Sequence, residues 1–128
     1  MARLRPFKFE KLEVWDLSLE VVDAMYAIAE RLPARERFNL ATQLRRASTS
    51  VSLNIAEGST GQSDPEQSRF LGLAIRSLVE TVACLRLISR RGYVKEQKTL
   101  AAANEACHRL ARKLQAMRRM LAPNARGA

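Results

Sequence analysis

QLRRASTSVSLNIAEG, residues 43–58, carries two overlapping periodic series. Gln43, Arg46, Ser50, Asn54 and Glu57 recur at three- and four-residue spacing, which sets five polar side chains on one helical stripe. Leu40, Leu44, Ala47, Val51 and Ile55 keep the same period beside it. The helix that carries both series presents a core face flanked by a hydrogen-bonding face.

Upstream, Val14, Leu17, Val21, Met25, Ile28 and Leu32 form the buried stripe of a first helix over residues 12–32. Pro33 disfavours helical geometry in the residue before it, so the chain turns there. The second helix is expected over residues 34–57, with Gly58 as its left-handed cap. Asp64-Pro65-Glu66-Gln67 reads as an N-cap, a proline at the first helical position and a capping-box glutamine, and Gly92 ends the third helix that starts there.

The apolar positions of this third helix, among them Phe70, Leu71, Leu73, Ile75, Leu78, Val79, Val82, Leu85, Leu87 and Ile88, leave only a narrow polar face. A helix apolar nearly all round must be covered by more than its hairpin partner. In the fourth helix, residues 95–121, Leu100, Ala103, Cys107, Leu110, Leu114, Met117 and Leu121 alternate at three and four residues as a coiled-coil-like seam. Lys98, Arg109, Arg112, Lys113 and Arg119 fall on the opposite side.

Short connections between long helices imply antiparallel neighbours, and the fold class is all-α: an up-down-up-down four-helix bundle. Residues 1–11 form an N-terminal arm whose Phe7 and Phe9 must dock somewhere, residues 12–122 the bundle, and residues 123–128 a disordered tail. Hydrophobic residues make up 47% and aromatics 5%, a balance that suits Ala- and Leu-rich helices better than a sheet.

The 22 Lys and Arg against 13 Asp and Glu give a formal net charge of +9. The excess is concentrated over residues 95–128, where eight basic groups face only Glu96 and Glu105. Such a field attracts polyanions. Arg109, Arg112, Lys113 and Arg119 are the leading candidates for phosphate contacts, with Arg45, Arg46, Arg90 and Arg91 secondary. Trp15 and Tyr26 read as core or interface anchors rather than base-stacking platforms.

Several chemistries are disfavoured. Cys84, Cys107 and the sole histidine, His108, do not make a four-ligand zinc site, and Glu105 with His108 gives one Glu-x-x-His pair where a carboxylate-bridged centre needs two. Both cysteines sit on apolar faces, no histidine is placed beside Ser48 or Ser50, and Ser59-Thr60-Gly61 lacks the lysine of a phosphate loop. No metal, cofactor or enzymatic activity is expected. No segment is long and uncharged enough to cross a bilayer, and Arg3, Arg5, Lys8 and Lys11 interrupt any leader-like apolar run, so a cytoplasmic protein without membrane contact is expected.

Glu57 is the odd placement, since a carboxylate in the last turn opposes the helix dipole. It belongs to a partly buried polar network of Gln43, Arg46, Ser50, Asn54, Glu57 and Glu80, with Arg46 paired to Glu80, or to a ligand site, or to a subunit contact.

Phe9, Leu12, Val14-Trp15, Leu32-Pro33, Gln43-Leu44-Arg45-Arg46-Ala47, Ser50, Asn54-Ile55-Ala56-Glu57-Gly58, Phe70-Leu71, Ala74, Ser77 and Glu80 together resemble one family. It is the four-helix-bundle proteins encoded in intervening sequences of bacterial large-subunit ribosomal RNA genes, relatives of which serve beside reverse transcriptases in diversity-generating retroelements. Ser52 stands where many members carry a proline, and Arg76 where a small residue is usual. The resemblance implies a homo-oligomer, a ring of five bundles, with a basic surface for RNA or DNA. It also implies an alternative: an adaptor whose partner is another protein, such as a reverse transcriptase.

Overall fold

The computed structural model describes residues 2–60 and 63–123. Four helices carry the chain: α1 (Glu13–Glu30), α2 (Leu40–Gly58), α3 (Asp64–Arg91) and α4 (Gln97–Met120). Each packs on its sequence neighbours, and α1 closes against α4, so α2 and α4 occupy opposite corners of an antiparallel bundle. No strand occurs among the described residues. Gly61 and the expected tail from Asn124 onward lie outside them.

The inner stripe of α2 is wholly buried: Leu40, Leu44, Ala47, Val51 and Ile55 all enter the core. Leu40, Leu44, Val51 and Ile55 meet Val21, Met25 and Ile28 of α1, Leu71, Leu78, Leu85 and Ile88 of α3, and Leu110 and Leu114 of α4 in one cluster. Burying this apolar surface, at about 25 cal/mol per Å², is what holds the four helices together. α3 is not buried all round, because Val79 and Leu87 point outward at 63% and 52% exposure.

The start of α2 differs from the expectation. Residues Ala34–Glu36 form a short 3-10 turn, and the α-helix begins only at Leu40. The reason lies in local side chains. Glu36 accepts hydrogen bonds from Asn39 Nδ2 at 2.9 Å and from Tyr93 Oη at 2.8 Å, while Asn39 Oδ1 accepts from Gln43 Nε2 at 3.0 Å. These bonds hold Asn39 at φ −123°, ψ −98°, outside helical geometry. The bonds from Tyr93 and Asn39 also hold the Glu36 carboxyl below the ordinary carboxylate range.

Two caps are also reassigned. Gly58 stays within the right-handed helix, and the left-handed glycine is Gly92, at φ 70°, which ends α3 as expected. Gly58 is glycine for a different reason: a Cβ there would lie 2.9 Å from Phe70 Cβ, so α2 and α3 approach too closely for a side chain. The N-cap of α3 is Ser63, whose Oγ accepts from the Glu66 amide at 3.4 Å, one residue before Asp64.

The arm docks through one of its two phenylalanines. Phe9 stands edge-on to Trp15 with ring centroids 4.6 Å apart, and a 3-10 turn over Lys8–Lys11 carries it there. Phe7 does not dock and stays 73% exposed. At the seam between α1 and α2, Ser52 Oγ donates to Ser18 Oγ at 2.8 Å, and Ser18 Oγ donates to the Trp15 carbonyl at 2.7 Å. Both serines are buried. Ser52 thus supplies one end of a hydroxyl relay.

Candidate nucleic-acid interface

The cations of α4 divide by what they touch. Burial of Leu100, Ala103, Cys107, Leu110 and Leu114 fixes the rotation of the helix and turns its basic residues outward. Lys113 Nζ then lies 3.2 Å from Glu13 and Arg109 3.9 Å from Glu20, both carboxylates on α1. Arg118 lies over Gly72 of α3 and donates to Ser68 Oγ at 3.4 Å. Arg112 and Arg119 have no ion-pair partner among the described residues, and with His108, Gln115 and Ala116 they line one shallow groove. They are seven residues apart, about 10 Å along the axis at the usual helical rise.

The eight cations proposed for phosphate contact do not form one surface. Arg45 and Arg46 lie on α2, diagonally across the bundle from α4. Arg90 and Arg91 are exposed at the last turn of α3, the end of that helix remote from Arg118 and its contact with Gly72. Only Arg109, Arg112, Lys113 and Arg119 share a face, and two of those four are engaged by α1.

The polar stripe of α2 is wetter and less connected than expected. Asn54 Nδ2 donates to the Ser50 carbonyl at 2.9 Å and to Ser50 Oγ at 3.2 Å, and Ser77 Oγ of α3 donates to Ser50 Oγ at 3.0 Å. Those three residues are the inter-helix link. Gln43 turns back to Asn39, and Arg46 and Glu80 line the same groove without an ion pair between them. Glu57 is exposed, and its carboxylate makes no hydrogen bond or ion pair among the described residues. It borders a groove of about 470 Å³ with Phe7, Lys8 and Phe9.

Burial pushes the Cys107 thiol up to about 11, and burial followed by the charge of Glu80 pushes Cys84 up as well. Neither is an activated nucleophile. No group of three or more His, Cys, Asp or Glu side chains that could hold a metal occurs among the described residues, and no helix of those residues is long and apolar enough to cross a membrane.

Residues 10–116 match the 23S rRNA-intervening sequence protein family. The chain belongs to that family. A crystal structure of a protein of unknown function from the S23 ribosomal protein family of Bacteroides thetaiotaomicron superposes with a TM-score of 0.74 at 25% identity, covering 81% of this chain and 96% of the other. Among curated proteins no significant match is found.

In this 23S rRNA-intervening sequence protein, two features of the candidate surface were not legible in the sequence. One is the pairing of Arg109 and Lys113 with Glu20 and Glu13. The acidic residues of α1 were visible, but only the closure of α1 on α4 shows which cations they neutralise. The other is the exposure of Tyr26, which is not a core anchor but stands 40% exposed beside Arg45 and Arg46. Its place four residues after Val22, off the stripe of Val21, Met25 and Ile28, was the available signal.

Proposed function

We propose that this family member is a non-enzymatic basic scaffold that binds RNA or DNA through the outer face of α4, and that it does so as a homo-oligomer. The observation that carries the reading is the pair Arg112 and Arg119: two guanidinium groups on one face, left without a carboxylate among the described residues while their neighbours are engaged. Phosphate contact of this kind is sequence-tolerant and weakens steeply as salt rises, because it rests on counterion release. The double variant Arg112→Ala/Arg119→Ala should weaken binding of structured RNA and lower the salt slope by about two. Affinity that stays the same between low and high salt would overturn the reading.

The exposed Val79 and Leu87 of α3 support assembly into the expected ring of five bundles, since apolar side chains left exposed on one bundle are what a second copy can bury. Light scattering coupled to size exclusion tests this directly, and a monomer at all concentrations would remove it. The same apolar face also favours a second reading, an adaptor for another protein such as a reverse transcriptase. Stable capture of that protein after nuclease treatment, with no binding of purified nucleic acid, would select the adaptor.

A further inference from the structure

Between α1 and α2 runs a groove of about 440 Å³ whose lining combines two chemistries. Tyr26 and Leu53 present apolar surface at 40% and 55% exposure. Arg45 and Arg46, neighbours about 100° apart around α2, line it from its two sides, with Thr42, Thr49 and Ser50 completing the wall. Tyr26 Oη and Thr49 Oγ1 lie 3.3 Å apart, a contact that ties the ring to α2 and limits its swing. Neither arginine has an ion-pair partner among the described residues. Glu30 shares the adjoining groove with Arg45, but no ion pair joins them.

A flat aromatic face beside two unpaired guanidinium groups and several hydroxyls matches one unit of a nucleic acid strand. A base stacks on an aromatic ring regardless of its identity, and the adjoining phosphate takes charge-assisted hydrogen bonds from arginine. We infer that this groove holds one unstacked nucleotide of a single-stranded segment, with the base against Tyr26 and Leu53 and the phosphate at Arg46 and Arg45. A paired base in a duplex does not offer its face, so the site selects single strands over helices. The inference rests on the reading that the protein binds nucleic acid, and places a second contact on the α1–α2 side of the bundle, apart from Arg112 and Arg119 on α4.

Fluorescence anisotropy with a labelled single-stranded RNA of about twelve nucleotides, and with the same sequence as a duplex, separates the two. Tyr26→Ala should weaken single-strand binding about tenfold and leave duplex binding unchanged. Tyr26→Phe, which keeps the ring and loses only the contact with Thr49, should bind as the wild type does. Arg46→Ala should weaken single-strand binding as well. Single-strand affinity that survives Tyr26→Ala but falls with Arg112→Ala/Arg119→Ala would overturn the groove and leave the α4 interface standing. Failure of the wild type to bind either probe at low salt would overturn both. A fall in solution mass with Tyr26→Ala but not Tyr26→Phe would give the groove to a second copy of the chain and overturn the inference too.

Discussion

The seam between α1 and α2 and the seam between α2 and α3 are both crossed by serine hydroxyls, yet they are built on opposite terms. At the first, Ser52 and Ser18 are sealed from water and pass a hydrogen bond to the Trp15 carbonyl. At the second, Ser77, Ser50 and Asn54 are only half-buried, beside a groove that also holds Gln43, Arg46 and Glu80. The close approach there comes instead from Gly58 against Phe70. A hydroxyl that water can reach is replaceable, whereas a sealed one must keep its partner. Steric fit therefore governs the second seam and hydrogen-bond satisfaction the first.

Gly58→Val should have the largest effect. The atom that a new Cβ would meet is Phe70 Cβ, bonded directly to the α3 main chain, so it cannot swing aside as the end of a long side chain would. Separating the two helices should cost about 3 kcal/mol, the upper part of the range for overpacking. Urea unfolding would show a lower midpoint at constant slope. An unchanged midpoint would mean that the seam is compliant and that the contrast with α1 and α2 is wrong.

Ser18→Ala should come next, at about 2 kcal/mol, because it leaves the Ser52 hydroxyl buried without its acceptor. Removing both hydroxyls should cost less than the sum of the two single losses, and a double-mutant cycle reads that coupling. At the wetter seam, Ser77→Ala should cost below about 1 kcal/mol, since water can reach Ser50 in its place. Equal costs at the two seams would erase the distinction.

The periodic features were legible because burial along a helix follows its own repeat. Leu40 to Ile55 on α2 and Leu100 to Leu114 on α4 were read from spacing alone and are buried as read. Features that depend on two segments meeting were not. Ser18 and Ser52 are 34 residues apart, and neither signals the other. Gly58 precedes a polar connection, so a cap was the natural reading, and only the path of α3 shows that it is a point of contact. The cationic face of α4 was readable as charge; which of its members remain unpaired depends on α1.

Glu57 gives the smallest expected effect and the sharpest test of how wet the polar stripe of α2 is. If its carboxylate closed a buried network, Glu57→Ala would leave donors unpaired and cost 1 kcal/mol or more, on the order expected for such a loss. The side chain is exposed, however, and it sits near the negative end of the α2 dipole, where a carboxylate is mildly unfavourable. The variant should therefore leave the stability within about 0.5 kcal/mol of the wild type, with any change towards greater stability. Thermal unfolding at two protein concentrations is the measurement. A fall of the melting temperature that grows with protein concentration would place Glu57 in a contact between chains, because only an interaction made by the assembled protein loses more where assembly is more complete. A loss that is the same at both concentrations would instead mean that the carboxylate stabilises the isolated bundle, and the polar stripe of α2 would have to be redrawn as a satisfied one.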